Sequence, residues 1–158
     1  MAFRLPRVPR IIFTILEPTS LIAGFLFPVL SPSVFVSSQT SAVPPHNLHL
    51  TEHVLALQLG NAYLLLALLG LFILNTTREL ATVHAYLLAL WIADIGHVAV
   101  TMWGLGWAGT LAVADWNAVT WGNIGVTGFL FAVRSCYFLG MFGEDIPLTR
   151  FVSHPKVL

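Results

Sequence analysis

Charge is scarce in this sequence, and its scarcity excludes several classes of protein. Only 9% of the 158 residues are Asp, Glu, Lys or Arg, against about a quarter in soluble domains. The seven basic residues balance the seven acidic ones, so no basic surface for nucleic acid is expected. Cys136 is the only cysteine, which excludes an internal disulfide. Motifs for nucleotide, haem, flavin and a serine nucleophile are missing from the sequence, and we therefore expect chemistry without a cofactor.

Apolar residues are abundant and fall into four stretches of the length that crosses a bilayer. They make up 57% of the chain, and a membrane helix needs about 20 of them in succession. The sequence predicts an all-α integral membrane four-helix bundle, formed by one domain of residues 1–158. Residues 31–51 are expected to form a loop, 104–116 an interfacial or re-entrant segment, and 142–158 an exposed tail. The predicted spans are residues 11–30, 52–74, 82–103 and 117–141.

The first stretch is interrupted by Glu17-Pro18 after only six residues, IIFTIL. This interruption disfavours a cleaved secretory signal, so we expect a retained span. Proline lacks a backbone donor and leaves the carbonyl of Thr14 without its helical partner. A kink is therefore predicted at Pro18.

The basic residues predict how the bundle is oriented. If four helices cross, six of the seven basic residues lie on one side, which the positive-inside rule identifies as cytosolic. Both termini are then cytosolic, and Asn75 of the sequon Asn75-Thr76-Thr77 would stay unmodified. We expect the membrane to be the endoplasmic reticulum or another endomembrane. An aromatic belt is predicted at the opposite interface, formed by Trp103, Trp107, Trp116 and Trp121.

The third span carries ionisable residues near its middle. Asp94 and His97 are three residues apart and share a helix face, with Trp91 one turn earlier. An ionised carboxylate at that depth costs about 2.5–3.5 kcal/mol on insertion scales, so such a residue indicates a functional site. We predict that Asp94 is a catalytic proton donor, with His97 or Glu17 as the complementary base.

Polar residues of the other spans complete the predicted site. Glu17 and Arg134 lie about 9 and 10 Å from the cytosolic ends of their spans, and we expect them to form an ion pair. Arg134 and Tyr137 share one face of the fourth span. A deeper tier is predicted from Asp94, His97, Asn61 and Gln58. The residues predicted to bind substrate are Arg134, Trp91, Asn61, Gln58 and Tyr137.

Each of these groups also has a structural interpretation. Glu17 and Arg134 could form a buried ion pair without catalytic function. Gln58, Asn61 and Asn123 are of the type that joins helices by hydrogen bonds. A further set has spacing suitable for a metal, but a polar interfacial loop is favoured and no metal is predicted. That set is His46, His49, Glu52 and His53.

Several short motifs carry a resemblance to known proteins. They are RxxR before the first span, Leu16-Glu17-Pro18, WxxDxxH at Trp91–His97, Arg134, and FGEDIPL at residues 142–148. Together they resemble a fungal family of small four-helix integral membrane proteins that is largely of unknown function. More distantly, the chain resembles the membrane-bound terpene cyclases of fungal meroterpenoid pathways, which have seven spans. It is also similar to sterol-isomerase-like four-helix proteins, which pair His with Glu where this chain pairs Asp94 with His97 and one glutamate.

Three functional hypotheses follow. The favoured one is a cofactor-independent acid/base isomerase or terpene-cyclase-like enzyme, acting on a lipophilic prenyl or sterol-like substrate in a secondary-metabolite pathway. The second is a non-enzymatic accessory or scaffold protein, in which the polar groups serve helix packing. The third is a small transporter, which would need to form a homo-oligomer because four helices enclose little volume. The bilayer is the expected partner in all three.

Overall fold

The computed structural model describes residues 3–40, 43–77, 79–143 and 145–147. Arg78 and residues 148–158 of the predicted tail lie outside the described residues. Strand β1 (Phe3–Arg4) pairs antiparallel with β2 (Ile146–Pro147), so the described chain enters and leaves at one end of the molecule. We call this the terminal end, and the opposite end the distal end.

Helices account for the described chain apart from this pairing, the connections and a short turned segment after residue 138. Between the strands lie α1 (Arg7–Ile11), a π-helical stretch (Ile12–Leu16), α2 (Glu17–Leu30), α3 (Pro32–Ser37), α4 (Leu50–Thr76), α5 (Leu80–Leu111), a 3-10 turn (Val113–Asp115), α6 (Ala118–Thr120), a second π-helical stretch (Trp121–Val126) and α7 (Thr127–Phe138).

Three helical segments are long and apolar enough to cross a membrane, namely Arg7–Leu30, Leu50–Thr76 and Leu80–Leu111. This agrees with the predicted helical membrane class. Residues 118–138 form a further uninterrupted helical run outside that group of three. Asn123 and Arg134 lower the hydropathy of this run. The four-span count and the orientation stay predictions.

Local structure departs from expectation in three places. Residues 32–37 of the predicted loop form α3. Helix α5 continues to Leu111 beyond the predicted end of the third span, with a break at Gly106, whose φ of 68° and ψ of 173° are not helical. Only glycine adopts such a conformation readily, because it has no Cβ. The disturbance expected at Pro18 takes the form of the π-helical stretch that ends at Leu16.

Two antiparallel helix pairs make up the fold, α2 with α4 and α5 with α7. Gly60 of α4 allows the first pair to approach closely, since a Cβ there would lie 2.7 Å from Cγ of Pro28. Toward the terminal end the pairs share a dense core. Its buried members are Leu5, Phe13, Leu74, Val83, Leu87, Val133 and Tyr137.

Candidate functional site

Arg134 is the central residue of the candidate site. Its side chain is completely buried. Nη1 donates a hydrogen bond to Oδ2 of Asp94 on α5, and Nη2 donates to Oε1 of Glu17 on α2. The predicted Glu17–Arg134 pair is therefore confirmed, and Asp94 joins it. We call these three residues the carboxylate–guanidinium triad.

The surroundings of Arg134 hold its guanidinium in place. Its Cζ lies 5.2 Å from the ring centroid of Phe13, in the range of a cation–π contact. Among the described residues, Nε has no hydrogen-bond partner.

The triad has one positive and two negative groups when both carboxyl groups are ionised, so its net charge is then −1. Uptake of one proton makes it neutral, with one acid and one base on the same guanidinium.

Irregular helix turns precede two of the three triad residues. The π-helical stretch Ile12–Leu16 ends at Leu16, immediately before Glu17. A π-helical turn closes its hydrogen bonds over five residues instead of four, and such turns are frequent at functional sites. Pro18 promotes this arrangement because it cannot donate to the preceding turn. The second stretch, Trp121–Val126, precedes Arg134 and borders the cavity described next.

A cavity of about 410 Å³ lies on the distal side of the triad, within the range of about 300–1,000 Å³ that small-molecule sites occupy. Glu17 and Asp94 both line it, whereas Arg134 lies behind them. Its other walls are mostly apolar and come from both helix pairs. They include Leu21, Phe27, Phe35, Leu66, Leu90, Ala93, Val126 and Leu130.

The predicted site residues separate into two groups in the structure. His97 lines the cavity with Asp94 and Glu17, so the three predicted catalytic residues lie together. Of the residues predicted to bind substrate, Arg134 contacts the two carboxylates from outside the cavity. The other four do not line the cavity: Trp91, Tyr137, Asn61 and Gln58.

Each of these four residues has other surroundings. Nε1 of Trp91 donates to Oγ of Ser135 at 2.8 Å, and the indole stacks on Phe131 with 5.3 Å between centroids. Trp91 therefore joins α5 to α7. Asn61 and Gln58 are exposed on α4, on the side away from the cavity, because the packing against α2 determines the rotation of that helix. The predicted deeper tier of Asp94, His97, Asn61 and Gln58 is thus not assembled.

Tyr137 belongs to a second polar cluster at the terminal end, which sequence reasoning did not identify. Its hydroxyl donates to Oδ2 of Asp145 at 2.9 Å and lies 2.9 Å from Nε2 of His84. The three residues border another cavity of about 440 Å³. The cluster ties the segment after α7 to α5. The 53-residue separation of His84 and Tyr137 leaves no local sequence signal for this contact.

Other cavity residues were also not predicted as site residues. Tyr63 faces the cavity opposite Gly24, where an added Cβ would lie 3.0 Å from the tyrosine ring. Asn123 lines the cavity, and its Nδ2 lies 3.5 Å from Oε1 of Gln39. Thr127 is a further polar wall residue. In the sequence, each of these residues is recognisable only as a polar side chain on an apolar helix. That pattern is also typical of positions where helices pack together, so it did not mark them as site residues.

The histidine-rich loop has a structural role at the start of α4. Oε2 of Glu52 accepts a hydrogen bond of 2.7 Å from the backbone N–H of His49, and Oε1 lies 3.4 Å from Nε2 of His46. His49 and Glu52 form a reciprocal capping box. The residues whose spacing is suitable for a metal thus include the pair, His49 and Glu52, at which α4 begins.

Comparison with known proteins identifies one family. No curated protein and no solved structure gives a significant match to the chain. The profile of one family matches residues 2–144, a range that contains the whole triad and every residue lining the cavity beside it. That family is described as a domain of unknown function, DUF7704. On the extent of this match, the chain belongs to the DUF7704 family.

Proposed function

We propose that this protein is a membrane-embedded, cofactor-independent acid/base enzyme of the isomerase or terpene-cyclase type. The observation that carries the proposal is the pair of carboxyl groups, from different helices, held by one buried guanidinium beside an apolar cavity. Preorganised acid and base groups of this kind contribute about 10²–10⁴-fold to proton-transfer reactions. Catalysis requires that the groups keep their relative positions while a substrate changes, and the fixed fork of Arg134 provides that.

The proposed reaction moves a proton and leaves the elemental composition of the substrate unchanged. The acid form of Asp94 gives its proton to one carbon of a double bond, which forms a C–H bond and leaves a cationic carbon. The carboxylate of Glu17, or His97, then removes a proton from an adjacent carbon, and those electrons form the new double bond. The base then releases its proton to water and Asp94 takes up a proton from water, which restores the site. Phe27 and Phe35 also line the cavity, and the faces of aromatic rings can stabilise a cation.

The cavity chemistry favours a neutral lipophilic substrate, such as a prenyl or sterol-like hydrocarbon. Two carboxyl groups border the cavity, and neither Lys nor Arg is among the described residues that line it. A phosphate or diphosphate group would therefore meet negative charge without a positive partner. A substrate of the proposed class would enter from the surrounding lipid. Action in a secondary-metabolite pathway, and a relation to fungal cyclases or sterol isomerases, are parts of this proposal.

The proposed topology has four crossings, with both termini in the cytosol of an endomembrane system. The pairing of β1 with β2 supports an even number of crossings, because both ends of the described chain meet. Single cysteines at Asn47 and Asn75, introduced in a Cys136→Ser background, test this topology with a membrane-impermeant maleimide. We expect Asn75→Cys to react from the cytosolic side and Asn47→Cys from the other. Labelling of both from one side would contradict four crossings.

The activity test begins with cells that naturally carry the gene. We expect deletion to cause a neutral lipid to accumulate, and the purified protein in D₂O to convert that lipid to an isomer carrying one deuterium. Asp94→Asn and Glu17→Gln should each lower this conversion at least about 10²-fold. Asp115→Asn is the matched control, because Asp115 is an exposed acid outside the cavity.

Two results would count against catalysis. Full conversion by Asp94→Asn would remove the proposed acid. If deletion changes no lipid, while Asp94→Asn lowers only stability or the recovery of a bound protein, the accessory or scaffold hypothesis replaces the enzyme. Thermal unfolding of each variant separates loss of the site from loss of the fold.

A further inference from the structure

Helix α4 has two opposite seams with the same heptad-like spacing. One is buried against the rest of the chain and contains Ala56, Gly60, Ala67, Gly70 and Leu74. The other contains the residues two places before each of these, which corresponds to about 160° around the helix at 3.6 residues per turn, together with Asn61 on the same side. We call it the outer seam. Its members are Val54, Gln58, Asn61, Leu65, Leu68 and Phe72.

The outer seam is exposed along its whole length. Its apolar residues retain between 38% and 62% of their surface, with Phe72 the most exposed. Gln58 and Asn61 are exposed as well. Neither side-chain amide forms a hydrogen bond to any residue in the part of the chain that the structure describes. The seam therefore presents two polar groups without intramolecular partners.

The depth of these amides makes their exposure costly. Helix α4 has 27 residues and is about 40 Å long, against a hydrocarbon core of about 30 Å. With the helix centred, Gln58 and Asn61 lie about 7 and 12 Å inside the core. A side-chain amide without a hydrogen-bond partner is unfavourable in such surroundings. A lipid-facing position for both residues therefore indicates that another helix covers them.

We propose that the outer seam is the contact surface for a second copy of this chain, which forms a symmetric dimer with parallel α4 helices. Two copies inserted in the same direction are related by a two-fold axis along the membrane normal. Each residue then meets its own counterpart at the same depth, so Gln58 faces Gln58 and Asn61 faces Asn61. Amides suit such self-pairing, because each has both donors and an acceptor.

The spacing of the seam supports the same arrangement. Alternating steps of four and three residues are the pattern of helices that pack along one another over several turns. Polar residues at such positions commonly set the register and partner of the helix, with apolar residues packing on either side. Tyr63 and Leu66, through which α4 borders the cavity, lie on the opposite side of the helix. The dimer thus leaves the cavity accessible, and its existence does not depend on the proposed catalysis.

Cysteine crosslinking tests the contact. Val54→Cys and Leu55→Cys, each in a Cys136→Ser background, place a thiol at almost the same depth but about 100° apart around the helix. Both side chains are exposed, at 44% and 59%. With a short bifunctional maleimide in native membranes, we expect Val54→Cys to give a crosslinked species of twice the monomer mass and Leu55→Cys to give little. Preferential crosslinking of Leu55→Cys, or crosslinking of Val54→Cys only to a different protein, would overturn the proposal.

Removal of the two amides tests whether they cause the dimer to form. Gln58→Leu combined with Asn61→Leu keeps the face suited to lipid, so the monomer is expected to insert and fold. We expect the monomer–dimer equilibrium, measured by fluorescence energy transfer on dilution into lipid vesicles, to shift toward monomer by roughly tenfold. Asn47→Leu, in the loop before α4, is the control and should leave it unchanged. Undiminished dimerisation of the double variant, or a wild type that is monomeric at every dilution, would refute the proposed seam.

Discussion

The two halves of this bundle, on either side of Arg134, use the same four helical segments in different ways. Toward the terminal end, large apolar side chains such as Phe13, Leu74 and Leu87 are at most 1% exposed and form one core. Toward the distal end the segments enclose a cavity of about 410 Å³. The triad lies at the boundary, with its guanidinium on the packed side and its carboxylates on the cavity side.

This difference shows how a bundle of apolar helices can hold charged groups. A guanidinium is hydrogen-bonded and shielded most completely where the packing is densest, and Arg134 is completely buried there. The carboxylates must contact Arg134 and also reach a substrate, so a position at the edge of the cavity serves both needs. From this division of roles we predict the effects of four sets of substitutions on stability, taken in order of decreasing size.

The largest expected effect comes from removal of the central cation. Arg134→Leu leaves Glu17 and Asp94 without their partner, and breaking a buried ion pair in this way costs about 3–5 kcal/mol. Thermal unfolding in bicelles measures the loss. Adding Glu17→Gln and Asp94→Asn should recover most of the stability, because no uncompensated charge then remains. A triple variant as unstable as Arg134→Leu would assign the loss to shape, not charge.

A matched pair of enlargements compares packed and open positions. Ala67 is 1% exposed, so Ala67→Leu forces its neighbours apart at a cost of about 1–3 kcal/mol. Ala93 lines the cavity, and Ala93→Leu should change the stability by less than about 0.5 kcal/mol. The same substitution should also reduce turnover, since it occupies substrate space. Equal losses of stability would show that the cavity has no free volume.

A smaller effect is expected for Tyr137→Phe. The variant loses the hydroxyl that donates to Asp145 and contacts His84, at a net cost of about 0.5–1.5 kcal/mol. Limited proteolysis should then cut residues 139–147 faster. Tyr63→Phe is the control, because the Tyr63 hydroxyl makes no hydrogen bond to a described residue. An unchanged cleavage rate in Tyr137→Phe would mean that other contacts hold this segment.

The smallest effect is expected for Trp91→Phe. Loss of the bond from Nε1 to Ser135 should lower the stability by about 0.5–1 kcal/mol, as measured by thermal unfolding. Turnover should be unchanged, since Trp91 does not line the cavity. If turnover falls while stability is retained, Trp91 binds substrate, as its sequence position suggested.

The sequence was sufficient to predict which residues are unusual but not which of them meet. Glu17 and Arg134 were identified as partners because a lone charge deep in an apolar helix is costly, and their depths are similar. Asp94 was assigned a deeper tier because depth was counted from the predicted end of a regular helix. In the structure Glu17, Asp94 and Arg134 meet although they lie 10, 14 and 4 residues from the terminal ends of their helical segments. Those ends therefore do not lie at one level, so depths counted from them are not comparable between helices.

Rotation about a helix axis was the other quantity that the sequence could not supply. Gln58 and Asn61 were expected at the site because they are polar and at the right depth. The direction they face depends on how α4 packs on α2, which is determined by close contacts such as Gly60 against Pro28. Those contacts involve residues far apart in the chain, and apolar residues surround α4 on all sides, so no hydrophobic stripe marks its buried face.

The amino-acid sequence by itself determined that the chain forms apolar helices of membrane-spanning length, and which ionisable residues lie within them. Both depend on the free energy of transferring side chains from water to hydrocarbon, which is a property of each residue. Only the tertiary structure decided that one guanidinium holds two carboxylates beside a cavity, and that two amides face outward. Those outcomes depend on the rotation, register and close approach of separate helices, which arise from packing between residues distant in the chain.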